Sequence, residues 1–394
     1  MSRPAQESSV QERPAEARPA RRMWPLYAAG FTTAFGAHSV AANLAQGGEG
    51  LARSVLYLGV LLALYDGAEI VLKPVFGTLA DRVGARPVLL GGLLAFAAAS
   101  GLFLAVRDPQ WLWAARLGQG AAASAFSPAA SALVARLNPA ARHGRAFGSY
   151  GFWKSLGYAG GPLLGSALVW AGGLPLLFAV LTALPLAVAG WVAAAVPSLP
   201  PLPRTRQTLL DLAHRLGDGA FLRQVAALAA STAALSVGVG FLPATGRADG
   251  LPPLATGAAV SVLALCAALV QPRVGRAHDS GRLSARQGLL GGLLATAAGL
   301  AVAAAVPGVA GLLSAAVLTG AGTGALTPIG FARLAATSPP ERLGQTMGAA
   351  ELGREAGDAA GPLLVGAVAS TAGLPWGYAA LAAATALLIP VLRR

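Results

Sequence analysis

The chain has 394 residues, of which 55% are hydrophobic and 11% charged, with a mean hydropathy of +0.61. A soluble domain carries about 25% charged residues, so this composition excludes a water-covered globule and specifies a polytopic membrane protein. The net charge of +13 raises nucleic acid as a partner, a reading that the positions of the charges exclude below.

Residues 1–22 are rich in Pro, Ala, Arg and Glu and are predicted to be a disordered cytoplasmic tail without a cleavable signal. Twelve apolar spans follow, near 24–46, 54–76, 87–106, 110–136, 146–170, 174–196, 222–246, 252–273, 287–306, 308–336, 344–371 and 374–392. Each is long enough for a helix to cross a bilayer at 1.5 Å rise per residue. No ten-residue block alternates with a period of two, which excludes a transmembrane barrel. With the N-terminus inside, 22 of the 29 Lys and Arg lie on inside ends and loops, and three, Arg53, Arg107 and Arg247, lie outside. That asymmetry follows the positive-inside rule. The basicity is therefore topological, and both termini are expected on the cytoplasmic side of the cell membrane.

The first span carries Tyr27, His38 and Asn43 as polar candidates for a cavity wall. The second carries Asp66, Glu69 and Lys73, spaced three and four apart and so on one helix face. Gly77 to Arg86 then forms a short polar turn, in which Gly77 ends one helix and Gly84 turns the chain into the next. Arg116 lies in the fourth span. Tyr150, Lys154, Gly157, Gly161, Pro162 and Gly165 lie in the fifth. The linker 197–221 opens with a Pro-rich stretch that cannot continue a helix. Its Leu209, Leu212, Ala213 and Leu216 have the spacing of a short surface helix. The eleventh span carries Glu351, Arg354, Glu355 and Asp358, a second charged stripe.

The second half repeats the first at a lag of 200 residues. Leu89–Ala95 recurs as Leu289–Ala295, Ser127-Pro128 as Thr327-Pro328, and Gly157, Gly161 and Pro162 as Gly357, Gly361 and Pro362. A degraded copy of the polar turn, from Pro272 to Asp279, sits two residues out of that lag. Two parallel six-helix repeats, 23–196 and 222–394, are the expected domains.

A charge in a membrane span costs several kcal/mol unless it faces a cavity or a partner, so the charged stripes mark the functional interior. A carboxylate left without a cation there favours its neutral, protonated form, as a proton carrier requires. Cys266 is the only cysteine and the four His are scattered, so neither a disulfide nor a metal site is expected. Without a Gly-rich phosphate loop or a Ser/His/Asp order, no cofactor and no enzymatic activity are expected.

The turn Gly77-x-x-x-Asp81-Arg82-x-Gly84-x-Arg86 resembles the signature between the second and third helices of the major facilitator superfamily. Together with twelve spans and the repeat, the resemblance covers nearly all of the chain after residue 22. It implies an all-α integral membrane fold of twelve transmembrane helices in two pseudo-symmetric six-helix bundles. Arg116-Leu-Gly-Gln-Gly120 is similar to a fourth-helix motif of proton-coupled exporters, whose arginine is implicated in proton relay. Gly157 to Gly165 resembles the antiporter motif of the fifth helix.

In that family helices two and eleven meet between the halves, so the stripes form a ladder that breaks as the halves rock. Reckoned from Gly77 and Gly344, Lys73 lies roughly 6 Å deep, Glu69 about 12 Å, Glu351 about 10 Å and Arg354 about 15 Å. Those depths pair Lys73 with Glu351, and Asp66 or Glu69 with Arg354. Asp81 is expected at the N-terminus of helix eleven near Gly344, and Asp279, in the displaced copy, to be less able to do the same. Lys154 and Arg354, at equivalent repeat positions, are expected to contact an anionic substrate or hold carboxylates.

The resemblance implies alternating-access transport by a monomer in the lipid bilayer, with efflux of a small organic compound in exchange for protons. Uptake or facilitated diffusion of a sugar, amino acid or organic anion is the alternative within transport. A receptor or scaffold that kept the fold without turnover is the alternative outside it.

Overall fold

The structure is a computed structural model that describes residues 19–43, 55–105, 112–199 and 219–393. Among these residues every regular element is helical. The helices are α1 (Pro19–Asn43), α2 (Val55–Val83), α3 (Ala85–Ala105), α4 (Leu112–Ala123), α5 (Phe126–Arg136), α6 (His143–Ala195), α7 (Gly219–Ala248), α8 (Pro253–Asp279), α9 (Ala285–Ala305), α10 (Gly308–Thr337), α11 (Leu343–Ala372) and α12 (Leu374–Arg393). Short 3₁₀ turns at Ala140–Arg142 and Pro340–Arg342 lead into α6 and α11. That pairing of turn and helix recurs at the 200-residue lag.

Two elements depart from one helix per expected span. The fourth span is broken at residues 124–125 into α4 and α5. The fifth and sixth are joined in α6, whose 53 residues contain non-helical backbone at Gly172 (φ −160°, ψ 20°) and Gly173 (φ 72°, ψ −174°). Gly173 takes a left-handed φ that a side chain would resist, and the chain folds back there into limbs 143–171 and 174–195. Pro175, at the start of the second limb, has the φ and the missing N–H that suit a helix N-terminus.

The polar turn is shorter than the sequence reading placed it. Gly77 does not end α2, which runs on to Val83. Gly84, at φ 104°, is the whole link to α3. The tail reading is trimmed as well, because helix α1 begins at Pro19. The proposed surface helix at 208–216 lies outside the described residues.

Among the described residues, seven helices are long and apolar enough to cross a membrane. Helix α11 is not among them, because its charged stripe lowers the hydropathy of a segment that is otherwise apolar. The core is built from small and branched apolar side chains. One cluster runs from Met23, Leu26 and Phe96 through Phe126 and Phe147 to Phe331 and Met347, joining the first half of the chain to the second. Another, with Leu263, Leu300, Leu312 and Tyr378, lies within the second half.

The halves meet where α2 crosses α11 and where α6 crosses α8. At the first crossing a Cβ on Gly77 would collide with the carbonyl of Gly344, and one on Gly348 with the carbonyl of Lys73. At the second, a Cβ on Gly275 would collide with the carbonyl of Gly144, and one on Gly148 with that of Gln271. Backbones approach this closely only where side chains are missing. Both crossings lie at the end of the molecule that carries Asp81 and Asp279.

Candidate functional site

Above the α2–α11 crossing the two charged stripes face each other. Lys73 is 1% exposed and bonds Glu69 Oε2 at 3.0 Å, one turn back along α2. It also forms a close ion pair with Glu355 on α11. Tyr65 Oη lies 3.5 Å from Glu69 Oε1. On the neighbouring face, Lys154 of α6 donates to Glu351 Oε2 and to Ser127 Oγ, both at 3.1 Å. Arg354 lies 4.0 Å from Glu351 and over the ring of Phe331.

These pairings correct the register expected from depth. Lys73 meets Glu355 rather than Glu351, and Arg354 meets Glu351 rather than Asp66 or Glu69. Side chains lean toward the N-terminus of their own helix. In α2 that lean carries the long Lys73 away from the glycine crossing, and in the antiparallel α11 it carries Glu355 towards the crossing. The two converge about one turn beyond the level at which Cα depth alone would pair them.

The stripes border a cavity of about 90 Å³, room for roughly three waters. Asp66, Glu69, Lys73, Lys154, Arg354, Glu355 and Asp358 line it, with the rings of His38 and Tyr158 in contact at a centroid separation of 3.8 Å and tilted by 56° to each other. Each lining cation has a carboxylate within 4.0 Å. Among the described residues no cation lies within 4.0 Å of Asp66 or Asp358. The site therefore holds two carboxylates beyond those its own cations pair with.

Arg116 is 1% exposed and does not reach for a surface. Its guanidinium stacks on Tyr65 at 4.2 Å and bonds Gln119 Oε1 at 3.2 Å and the Leu61 carbonyl at 3.4 Å. It sits behind the cavity wall, against the residue next to Asp66.

Two of the expected cavity residues lie elsewhere. Asn43 donates to the Ser39 carbonyl at 2.8 Å and accepts from Ser166 at 2.9 Å, so its amide is used in joining α1 to α6. Tyr150 is buried against Gly30. The glycines of the fifth-span motif form the same joint: Gly157 faces Phe31, Gly161 faces His38 and Ser39, and Gly165 faces Ser39 and Asn43. Their partners Gly357 and Gly361 pack on Ala229 and Ala233 of α7 in the same way. Pro162 lies within this run in α6.

The polar turn reaches across to the other half. Asp81 accepts from the backbone N–H of Gly344 at 2.6 Å and of Gln345 at 2.8 Å, at the N-terminus of α11. Arg86 donates to the Ala193 carbonyl at 2.6 Å, near the C-terminus of α6, while Arg82 is exposed at the end of α2. The second copy corrects the sequence reading. Asp279 accepts from Gly144 at 2.8 Å and Arg145 at 2.7 Å, and so caps α6 as Asp81 caps α11. The two-residue displacement leaves this contact intact, because Gly275 and Asp279 moved together.

Sequence reasoning missed Tyr158 and Gln271. Gln271 is the counterpart of Lys73 at the displaced lag, and it donates to Ser155, the counterpart of Glu355, at 2.8 Å. One crossing is thus bridged by charge and its mate by a neutral hydrogen bond. The lag itself was the signal that would have found Gln271. Tyr158 lies one turn from Lys154 on the same face, a weaker clue.

An all-helical membrane chain with a charged cavity between its halves has the architecture of a secondary transporter. The chain belongs to the Major Facilitator Superfamily, whose family model matches residues 26–280 and 225–394. It is 32% identical over 121 residues to the multidrug resistance protein MdtH of Cronobacter sakazakii, covering 31% of this chain and 30% of that one. It is 35% identical over 113 residues to the class H tetracycline resistance protein of Pasteurella multocida, covering 28% of each. These matches span less than a third of the relatives' length. Among solved structures, the human organic anion transporter MFSD10 superposes with a TM-score of 0.81 at 18% identity, over 96% of this chain and all of that one. The E. coli fucose:proton symporter FucP superposes with a TM-score of 0.78 at 14% identity, over 94% of this chain and 97% of that one.

Proposed function

We propose that the protein exports a small organic compound in exchange for protons, by alternating access. The observation that carries the reading is the pair of carboxylates, Asp66 and Asp358, that face the cavity without a cation. Each titrates between a charged form, which attracts a proton or a cationic solute, and a neutral form, which holds the proton and releases the solute. The lining cations already bond carboxylates, which favours a neutral or cationic solute over an anionic one. Resistance to tetracycline and to multiple drugs, in the names of the partial relatives, agrees with export.

The positive-inside distribution sets the Asp81 end on the cytoplasmic side, with both termini there and the cell membrane as the site of action. The glycine crossings and aspartate caps then close the cytoplasmic side, and the cavity belongs to an outward-facing or occluded state. Residues 23–196 and 222–394 act as the two rocking bundles of a monomer. Protonation of Glu355 would loosen the Lys73 bridge between α2 and α11 and free that side to open.

The test is tetracycline flux into proteoliposomes across an imposed pH gradient. The expected result is accumulation on the acidic side by the wild type, abolished by collapse of the gradient and in Asp66→Asn and Asp358→Asn. Gradient-independent accumulation, or coupled accumulation in both variants, would contradict proton exchange. With no tetracycline flux, a panel of cationic and neutral compounds takes its place under the same gradient.

A further inference from the structure

The α6–α8 crossing carries a feature that its mate lacks. Arg142 and Arg145, at the start of α6, face Arg273, Arg276 and Arg282, at and beyond the end of α8, across a cleft of about 650 Å³. All five are exposed. Among the described residues none has a carboxylate within 4.0 Å. Asp279 also lines the cleft, but both of its oxygens accept backbone N–H groups of α6. Five guanidinium groups with no paired anion set up a strong local positive potential, and the guanidinium fork matches phosphate oxygens two at a time.

Neither topology nor fold demands this cluster. At the mate crossing the positions equivalent to Arg145, Arg273 and Arg276 are Gln345, Val75 and Thr78, whereas Arg142 and Arg282 have basic equivalents at the 200-residue lag, Arg342 and Arg82. A positive-inside bias alone would load both crossings. A second cavity, of about 330 Å³, adjoins the first, sharing Arg142 and Arg145 and lined by Met23, Trp24 and Tyr27. Trp24 is 46% exposed. Arginines opening onto an aromatic groove at a helix end fit a headgroup with apolar chains behind it.

We infer that the α6–α8 arginine cleft is a binding site for a phosphate-bearing anion, which bridges the two halves of the chain at the closed end. The phosphate belongs either to an anionic phospholipid headgroup or to a soluble phosphate compound. Because the walls come from both halves, a bound anion favours the state in which they stay joined.

The test uses the full chain, with phosphatidylglycerol and inorganic pyrophosphate as probes. Melting temperature and binding are measured in phosphatidylcholine nanodiscs with and without phosphatidylglycerol, and in detergent with and without pyrophosphate. The expected result is a rise in melting temperature with one probe, and an affinity about fivefold weaker for each arginine removed. Arg276→Gln and the triple variant Arg142→Gln/Arg273→Gln/Arg276→Gln supply that series. Arg342→Gln at the mate crossing should bind as the wild type does. A response to phosphatidylglycerol assigns the lipid source, and one to pyrophosphate alone assigns the soluble source. The inference is overturned if neither probe binds, or if Arg342→Gln weakens binding as much as Arg276→Gln. Should the triple variant fail to fold, Arg276→Gln alone decides, since its side chain is exposed.

Discussion

Lys73 holds two carboxylates at once, so removing its charge strands both. Lys73→Gln is expected to destabilise the protein by about 3–5 kcal/mol, the usual cost of leaving buried charge uncompensated. Adding Glu355→Gln should restore part of that loss while Glu69 stays stranded, because Gln271 and Ser155 show that a neutral bond spans the equivalent crossing. Thermal melting of the two variants checks both statements. Asp66→Asn behaves in the opposite way: with no ion pair to lose, it should melt at or above the wild-type temperature while uncoupling transport from the pH gradient. Glu351→Gln, which strands Lys154, should melt lower. At this scale the sequence revealed the charged residues and their helix faces, since spacings of three and four are visible in any helix. It hid the pairings, which depend on the direction in which Lys73 and Glu355 lean. It also hid the placement of Asn43, whose amide is used by Ser39 and Ser166 rather than turned to the cavity.

The helices that matter most are the two that cross their partners on glycine. Gly344→Val and Gly144→Val each place a branched side chain where a backbone carbonyl now sits. Overpacking of this kind costs about 1–3 kcal/mol, and here it acts selectively on the state in which the crossings are closed. Crosslinking across the Asp81 end should therefore fall in both variants. Asp81→Asn and Asp279→Asn each remove a charge from a helix N-terminus, worth about 1 kcal/mol, and the two should weaken closure to a similar degree. That equality tests the pseudo-symmetry directly, since the sequence reading favoured Asp81. The displaced copy misled because alignment at a fixed lag separates Asp279 from Asp81. In the structure the spacing from the glycine to the aspartate is what counts, and it is four residues in both copies.

Across the whole molecule the sequence carried the class of fold, because composition, span length and repeat are properties of the chain as a whole. It could not carry the state of the cavity, which depends on contacts between residues hundreds of positions apart. The central claim is that protonating Glu355, the carboxylate that Lys73 meets on α11, releases the α2–α11 closure. Its most direct test needs no substrate. Spin labels at Val83→Cys and Arg342→Cys, in a Cys266→Ser background, report the separation of the two helices at the Asp81 end. From mildly alkaline to mildly acidic pH, the account predicts growth of a longer-distance population in the wild type. In Glu69→Gln/Glu355→Gln that population should be present at both pH values. A short distance that depends on neither pH nor the substitutions would contradict it.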